Sequence, residues 1–169
     1  MKGYLLDTDT WIEYFHHRGG VDRYIAQTPA EQIFASEVSI AELTYGALHS
    51  KAVEKHLQEP KAIEDTFTVL PISKGWASDY AEIRHGLASQ GLIVGDLDIL
   101  IAVTARQHGL TVVTHNTKHF SKMPGVMCVD WVEKTEYPHT PNSSIFFFIA
   151  ASSCRFFFTC WFILTCTSY

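Results

Sequence analysis

The chain lacks most of the signatures that announce an enzyme. It has no glycine-rich phosphate loop, no internal repeat and no block of like charge. Its nine histidines form neither a His-Glu-x-x-His pattern nor a Cys/His zinc pattern. No nucleophile elbow is present, so a Ser-His-Asp hydrolase has no local support. Cysteine is scarce: of four, only Cys128 precedes residue 154, and the other three match no zinc spacing. A cytoplasmic compartment, the one expected here, would leave all four reduced. Met1-Lys2-Gly3 leads directly into an apolar run, so no signal peptide is expected. Cationic charge is also short, with 13 Lys and Arg against 18 Asp and Glu and a net charge of −5. Broad electrostatic attraction normally supplies phosphate affinity, and this balance argues against it.

What the chain does have is a set of acids at telling places. Gly3-Tyr4-Leu5-Leu6 is a short apolar run ending abruptly at Asp7, as a buried strand would. Asp7-Thr8-Asp9-Thr10 then supplies cap chemistry for a helix through Trp11, Ile12, Tyr14 and Phe15. Ile33-Phe34-Ala35 reads as a second strand, and Ser36 to Ser39 opens a helix with Glu42 in its early turns. Asp96-Leu97-Asp98 precedes Ile99 to Ala105, which is apolar nearly all round, as a central buried helix is. His108-Gly109 ends that helix. Leu110 to Thr114 is a β-branched strand, followed by a polar turn at His115-Asn116-Thr117. Asp7, Glu42 and Asp98 therefore each stand at a strand end or near a helix start. In α/β sheets such positions converge outside the carboxyl ends of the strands. Acids gathered there without a cationic neighbour call for a divalent ion, and hard oxygen ligands suit Mg²⁺ or Mn²⁺. Such ions activate water and stabilise a leaving oxygen, so the expected chemistry is phosphodiester cleavage.

Four motifs in order carry a family resemblance. They are Leu5-Leu6-Asp7-Thr8-Asp9, Ser39-Ile40-Ala41-Glu42-Leu43, Asp98-Ile99-Leu100-Ile101-Ala102 and Val113-Thr114-His115-Asn116-Thr117-Lys118-His119-Phe120. The set resembles the PIN domain, and within it the VapC-type toxins of bacterial toxin–antitoxin pairs, over about residues 1–135. The resemblance implies a three-layer α/β/α sandwich with a mostly parallel central sheet. It implies a Mg²⁺-dependent endoribonuclease, active on RNA, leaving 5′-phosphate and 3′-hydroxyl ends. It also implies a cognate antitoxin that silences the enzyme, and a homodimer. Asp7, Glu42 and Asp98 match the family's metal-binding, catalytic acids. Asn116 falls where many relatives carry a fourth acid, and Asp96 is an extra acid that serves either as a further ligand or as a helix cap. Asn116 and Thr114 are the candidate substrate contacts. Asp9 is read as positioning the Asp7 loop. Arg18, Arg23, Arg84, Lys118 and Lys122 are candidates to line a groove for RNA. The alternative is a catalytically degenerate PIN module that binds an antitoxin and regulates without cutting. A nuclease for DNA is a nearer variant that residue chemistry does not separate.

Elsewhere the periodicity predicts helices over Ala41–Leu57 and Ser73–Gln90, with a short strand at Thr66–Pro71 between them. Trp76, Tyr80 and Ile83 form a core stripe or a dimer face, and their spacing favours core. His16-His17 ends the first helix, where a cation suits the dipole.

Residues 136–169 differ in kind: Phe, Ser, Thr and Cys dominate, and Arg155 is the only charge after Ile145. Three readings compete. The segment is long enough for a membrane anchor, which needs roughly 20 apolar residues. Arg155 near its centre opposes that by about 2.5–3.5 kcal/mol. It could instead pack on the domain or a partner. The third reading, and the favoured one, is a non-native extension after a finished domain, because the segment lacks any amphipathic period.

Overall fold

Leu5 and Leu6 decide the centre of the fold. Successive strand residues point to opposite faces, so two adjacent apolar residues demand cover on both sides. Both are fully buried in the computed structural model, which describes residues 3–132. The elements in chain order are β1 (Tyr4–Leu6), α1 (Thr8–Phe15), α2 (Val21–Gln27), β2 (Ile33–Ser36), α3 (Glu37–Leu48), α4 (Val53–His56), α5 (Gln58–Thr66), β3 (Thr68–Leu70), α6 (Trp76–Ser89), α7 (Asp96–His108), β4 (Thr111–Val113), α8 (Thr117–Phe120) and β5 (Met127–Val129). The strands form one five-stranded sheet in the order β3-β2-β1-β4-β5. Every pairing is parallel, so the sheet is wholly parallel and not merely mostly so.

The alternation of side chains divides the core in two. Leu5 and Val112 join Ile83, Leu87, Ile99, Val103 and Phe120 on one face. Leu6 and Val113 join Trp11, Leu43 and Ile63 on the other. The result is the expected α/β/α sandwich. β1 has β2 on one side and β4 on the other, so the chain reverses its direction of winding beside β1. At such a switch point the loops after the two strands part and leave a crevice at their carboxyl ends. Asp7 and Thr114 follow β1 and β4 directly, which places both at that crevice.

Local chemistry fixes the elements that border it. Asp7 caps α1, accepting from the Thr8 N–H. Thr10 Oγ1 donates to the Val113 carbonyl at 2.8 Å and ties α1 to β4. Ser36 caps α3, its Oγ accepting from Ser39 N at 3.0 Å. α7 ends at Gly109, whose φ of 64° is left-handed and suits glycine.

Four sequence expectations need correction. The helix predicted over Ala41–Leu57 stops at Leu48, because His49 and Ser50 turn the chain and Ser50 Oγ accepts from Ala52 N. The segment expected to begin at Ser73 becomes helical only at Trp76, after Gly75 at φ 92°. Of Trp76, Tyr80 and Ile83, Ile83 is fully buried, Tyr80 packs against the core partly buried while its hydroxyl bonds Asp96, and Trp76 is exposed. The polar turn at 115–117 ends in a one-turn helix, α8, anchored by the buried Phe120. No helix among the described residues is long and apolar enough to cross a membrane. The readings of residues 136–169 fall outside the described residues.

Candidate active site

Asp7 is 5% exposed, and both of its oxygens are engaged. Oδ1 accepts from Thr8 N at 2.8 Å, and Oδ2 accepts from Thr114 Oγ1 at 2.9 Å. Burial, then the charge of Asp9, push its carboxyl up to about 8; the hydrogen bonds from Thr114 and Thr8 act against the rise, and Asp98 adds to it. Glu42 reaches the same loop, where its Oε2 accepts from Thr8 Oγ1 at 2.6 Å. Burial raises it, the Thr8 hydroxyl lowers it, and Asp9 raises it again. Asp98, in the first turn of α7, is pushed up to about 6 by burial, by Glu42 and by Asp9. Its Oδ2 is buried and has no hydrogen-bond partner. The acids from the β1 loop, α3 and α7 are thus linked: Asp98 raises Asp7, Glu42 raises Asp98, and Asp9 raises all three.

The remaining expected residues take varied places. Thr114 is fully buried, and its hydroxyl donates to Asp7 and so orients that carboxylate. Its Oγ1 also accepts from Asn116 N at 3.0 Å. The Asn116 amide contacts His119 Nδ1 at 2.8 Å, beside the site. Asp96 turns elsewhere: its carboxylate takes the Tyr80 hydroxyl at 2.6 Å and the Arg84 guanidinium. Arg84 is therefore committed to Asp96, and Arg18 pairs with Glu13 at 3.3 Å. Lys118 and Lys122 are exposed on and just after α8.

Two residues were underweighted by sequence reasoning. Thr8 bridges Asp7 and Glu42, although nothing in its local sequence distinguishes it from an ordinary helix start. Asp9 faces solvent and acts on all three acids as a nearby negative charge. Its proximity to Asp7 in sequence was the available signal. Among the described residues no three Asp, Glu, His or Cys side chains close into a finished ion cage.

Comparison with known proteins decides the family. The model of the PIN domain matches residues 4–126. The chain belongs to the PIN-domain family. Within it, similar curated proteins include VapC enzymes. The tRNA(fMet)-specific endonuclease VapC of Shigella flexneri is 32% identical over 131 residues, covering 78% of this chain and 99% of that protein. Ribonuclease VapC2 of Haemophilus influenzae is 29% identical over 132 residues, covering 78% of this chain and all of the relative. In three dimensions this PIN domain matches a chain of the DNA-bound VapBC complex of Salmonella typhimurium. The TM-score is 0.71 at 31% identity, over 78% of this chain and 99% of that one.

Proposed function

We propose that this PIN domain is the toxin of a toxin–antitoxin pair: an endoribonuclease that hydrolyses RNA phosphodiester bonds with a divalent cation held by Asp7, Glu42 and Asp98. A VapB-like antitoxin silences it, and it works as a homodimer. One observation carries the chemical part. Asp7 is buried, Glu42 and Asp98 are partly buried beside it, all three are raised with no Lys or Arg to offset them, and one oxygen, Asp98 Oδ2, has no hydrogen bond. Such an arrangement costs stability unless something positive is supplied. The donor set consists of hard oxygens, which fits Mg²⁺ or Mn²⁺. Relatives named as endonucleases and ribonucleases, matched over nearly their whole length, support RNA cleavage. Solved neighbours in VapBC complexes support the antitoxin.

The residues divide the work. When bound, the cation supplies Lewis-acid stabilisation of the phosphoryl oxygens and of charge growing on the attacking and leaving oxygens. Thr114 and Thr8 hold Asp7 Oδ2 and Glu42 Oε2, so the donors are oriented before substrate arrives. Burial of Asp7 and partial burial of Glu42 and Asp98 reduce the screening of these charges by water. Asp98 Oδ2 has no hydrogen bond to give up. Incubating total RNA with the full chain, with Mg²⁺ and with EDTA, tests the proposal. Discrete Mg²⁺-dependent fragments with 5′-phosphate ends are expected. Cleavage that persists in EDTA would contradict the cation. A folded, ion-loaded chain that cuts no RNA would favour the antitoxin-binding module without catalysis.

A further inference from the structure

Thr114 and His115 are neighbours in sequence and opposites in burial. The Thr114 side chain is buried, with its hydroxyl 2.9 Å from Asp7 Oδ2. His115 follows at the carboxyl end of β4 and is exposed. One residue from the acid group, it stands at the rim of the crevice. Burial raises the Asp9 carboxyl and His115 lowers it, so these two lie close as well. Asp9 in turn acts on Asp7, Glu42 and Asp98.

The imidazole is held through one nitrogen. His115 Nδ1 is 3.0 Å from Asp130 Oδ2, and Asp130 directly follows β5. The other Asp130 oxygen accepts from Val132 N at 2.8 Å, so the carboxylate is fixed in turn. A carboxylate only accepts. Nδ1 therefore carries the hydrogen and, in the neutral imidazole, Nε2 carries the lone pair. Nε2 makes no hydrogen bond among the described residues. A phosphate oxygen is itself an acceptor and does not satisfy such a lone pair, whereas a hydroxyl does. The ribose 2′-hydroxyl is the donor that RNA offers and DNA lacks.

We propose that His115 Nε2 accepts a hydrogen bond from the 2′-hydroxyl of a ribose beside the cleaved phosphodiester, and that His115 and Asp130 thereby select RNA over DNA. This rests on the nuclease reading above. The acids act on a phosphate that both nucleic acids share, so they do not make the choice. Asp130 is the positioning residue: it fixes which nitrogen of His115 carries the hydrogen.

The full chain is tested on an RNA oligomer that spans a mapped cut, and on the same oligomer with a single 2′-deoxy residue on one side of the cut or the other. One of the two deoxy oligomers is expected to be cut about three- to tenfold more slowly by the wild type, the scale of one neutral hydrogen bond. His115→Phe should cut the all-RNA oligomer more slowly by the same factor and lose nothing further on the deoxy one. Asp130→Asn should do likewise for a different reason. Its amide nitrogen would donate to Nδ1 and move the ring hydrogen to Nε2. ¹⁵N spectra of the ring should therefore show Nδ1 protonated in the wild type and Nε2 protonated in Asp130→Asn. A deoxy penalty as large in His115→Phe as in the wild type, or none at either position in the wild type, would overturn this inference and leave the nuclease standing. So would a neutral wild-type ring protonated on Nε2. If the wild type cuts no RNA, the nuclease reading itself fails and this inference with it.

Discussion

Asp96 and Asp98 sit two residues apart in the first turn of α7, and the fold treats them in opposite ways. The Asp96 side chain is 64% exposed and takes Arg84 and the Tyr80 hydroxyl. That of Asp98 is 19% exposed, has an oxygen with no hydrogen bond, and is pushed up to about 6. Residues two apart on a helix face away from each other, so one acid meets α6 and the other the crevice. The far end of α7 repeats the first treatment: Arg106 donates to Asp79 at 2.7 Å and also pairs with Glu82. Acids with an arginine are the helix's fastenings. On the proposed reading, the acid deprived of one is a cation ligand.

The comparison breaks most visibly at Asp7. Asp7→Asn should lower the rate of RNA cleavage by about a hundredfold or more, the scale of removing one group that stabilises developing charge. The same change should stabilise the ion-free chain. The carboxyl of Asp7 in the folded chain, at about 8, lies above its ordinary 3.8, so the folded state holds the proton more tightly. The stability this gives is complete below about pH 4 and is lost as pH rises through about 8. In EDTA the melting temperature of Asp7→Asn should therefore exceed that of the wild type, and the gap should widen from pH 5 to pH 8. A gap that is absent or reversed would mean that the charge of Asp7 is already offset.

Arg106→Ala should behave in the opposite manner. It strands the partly buried Asp79, so denaturant unfolding should show a loss of about 1–3 kcal/mol. Cleavage per folded molecule should not change, and a large loss of turnover would blur the distinction between fastening and chemistry. Thr114→Val falls between the two. It removes the hydroxyl from Asp7 Oδ2 inside the core, with an expected cost of about 1 kcal/mol in the same unfolding assay. Cleavage should fall as well, because Asp7 loses its positioning. Arg84→Ala is the smallest effect, under about 1 kcal/mol, since its pair with Asp96 is exposed on both sides.

The legible parts of the fold were those with a period or a cap to read. Leu5-Leu6, Ile33 to Ala35 and Thr111 to Val113 gave up the strands, and Ser36 and Gly109 marked helix ends. The smaller helices were not legible because almost nothing on them is buried. α2 buries only Val21, and α8 only Phe120. The site was half legible for a related reason. Asp7, Glu42 and Asp98 announce themselves by standing at element ends. Their supports do not, since Thr8 meets Glu42 across 34 residues and Thr114 meets Asp7 across 107. Asp96 stayed open between ligand and helix cap because its partner Arg84 lies on a different helix, and only packing brings them together. The burial of Thr114 was not legible because it is a property of the closed sheet, not of its neighbours in sequence.

Cleavage of RNA by Asp98→Asn and Asp96→Asn, measured side by side with saturating divalent ion, tests the central claim most directly. The account predicts that Asp96→Asn cuts at close to the wild-type rate while Asp98→Asn, folded to the same extent, does not cut. Equal loss in both, or full activity in Asp98→Asn, would contradict it.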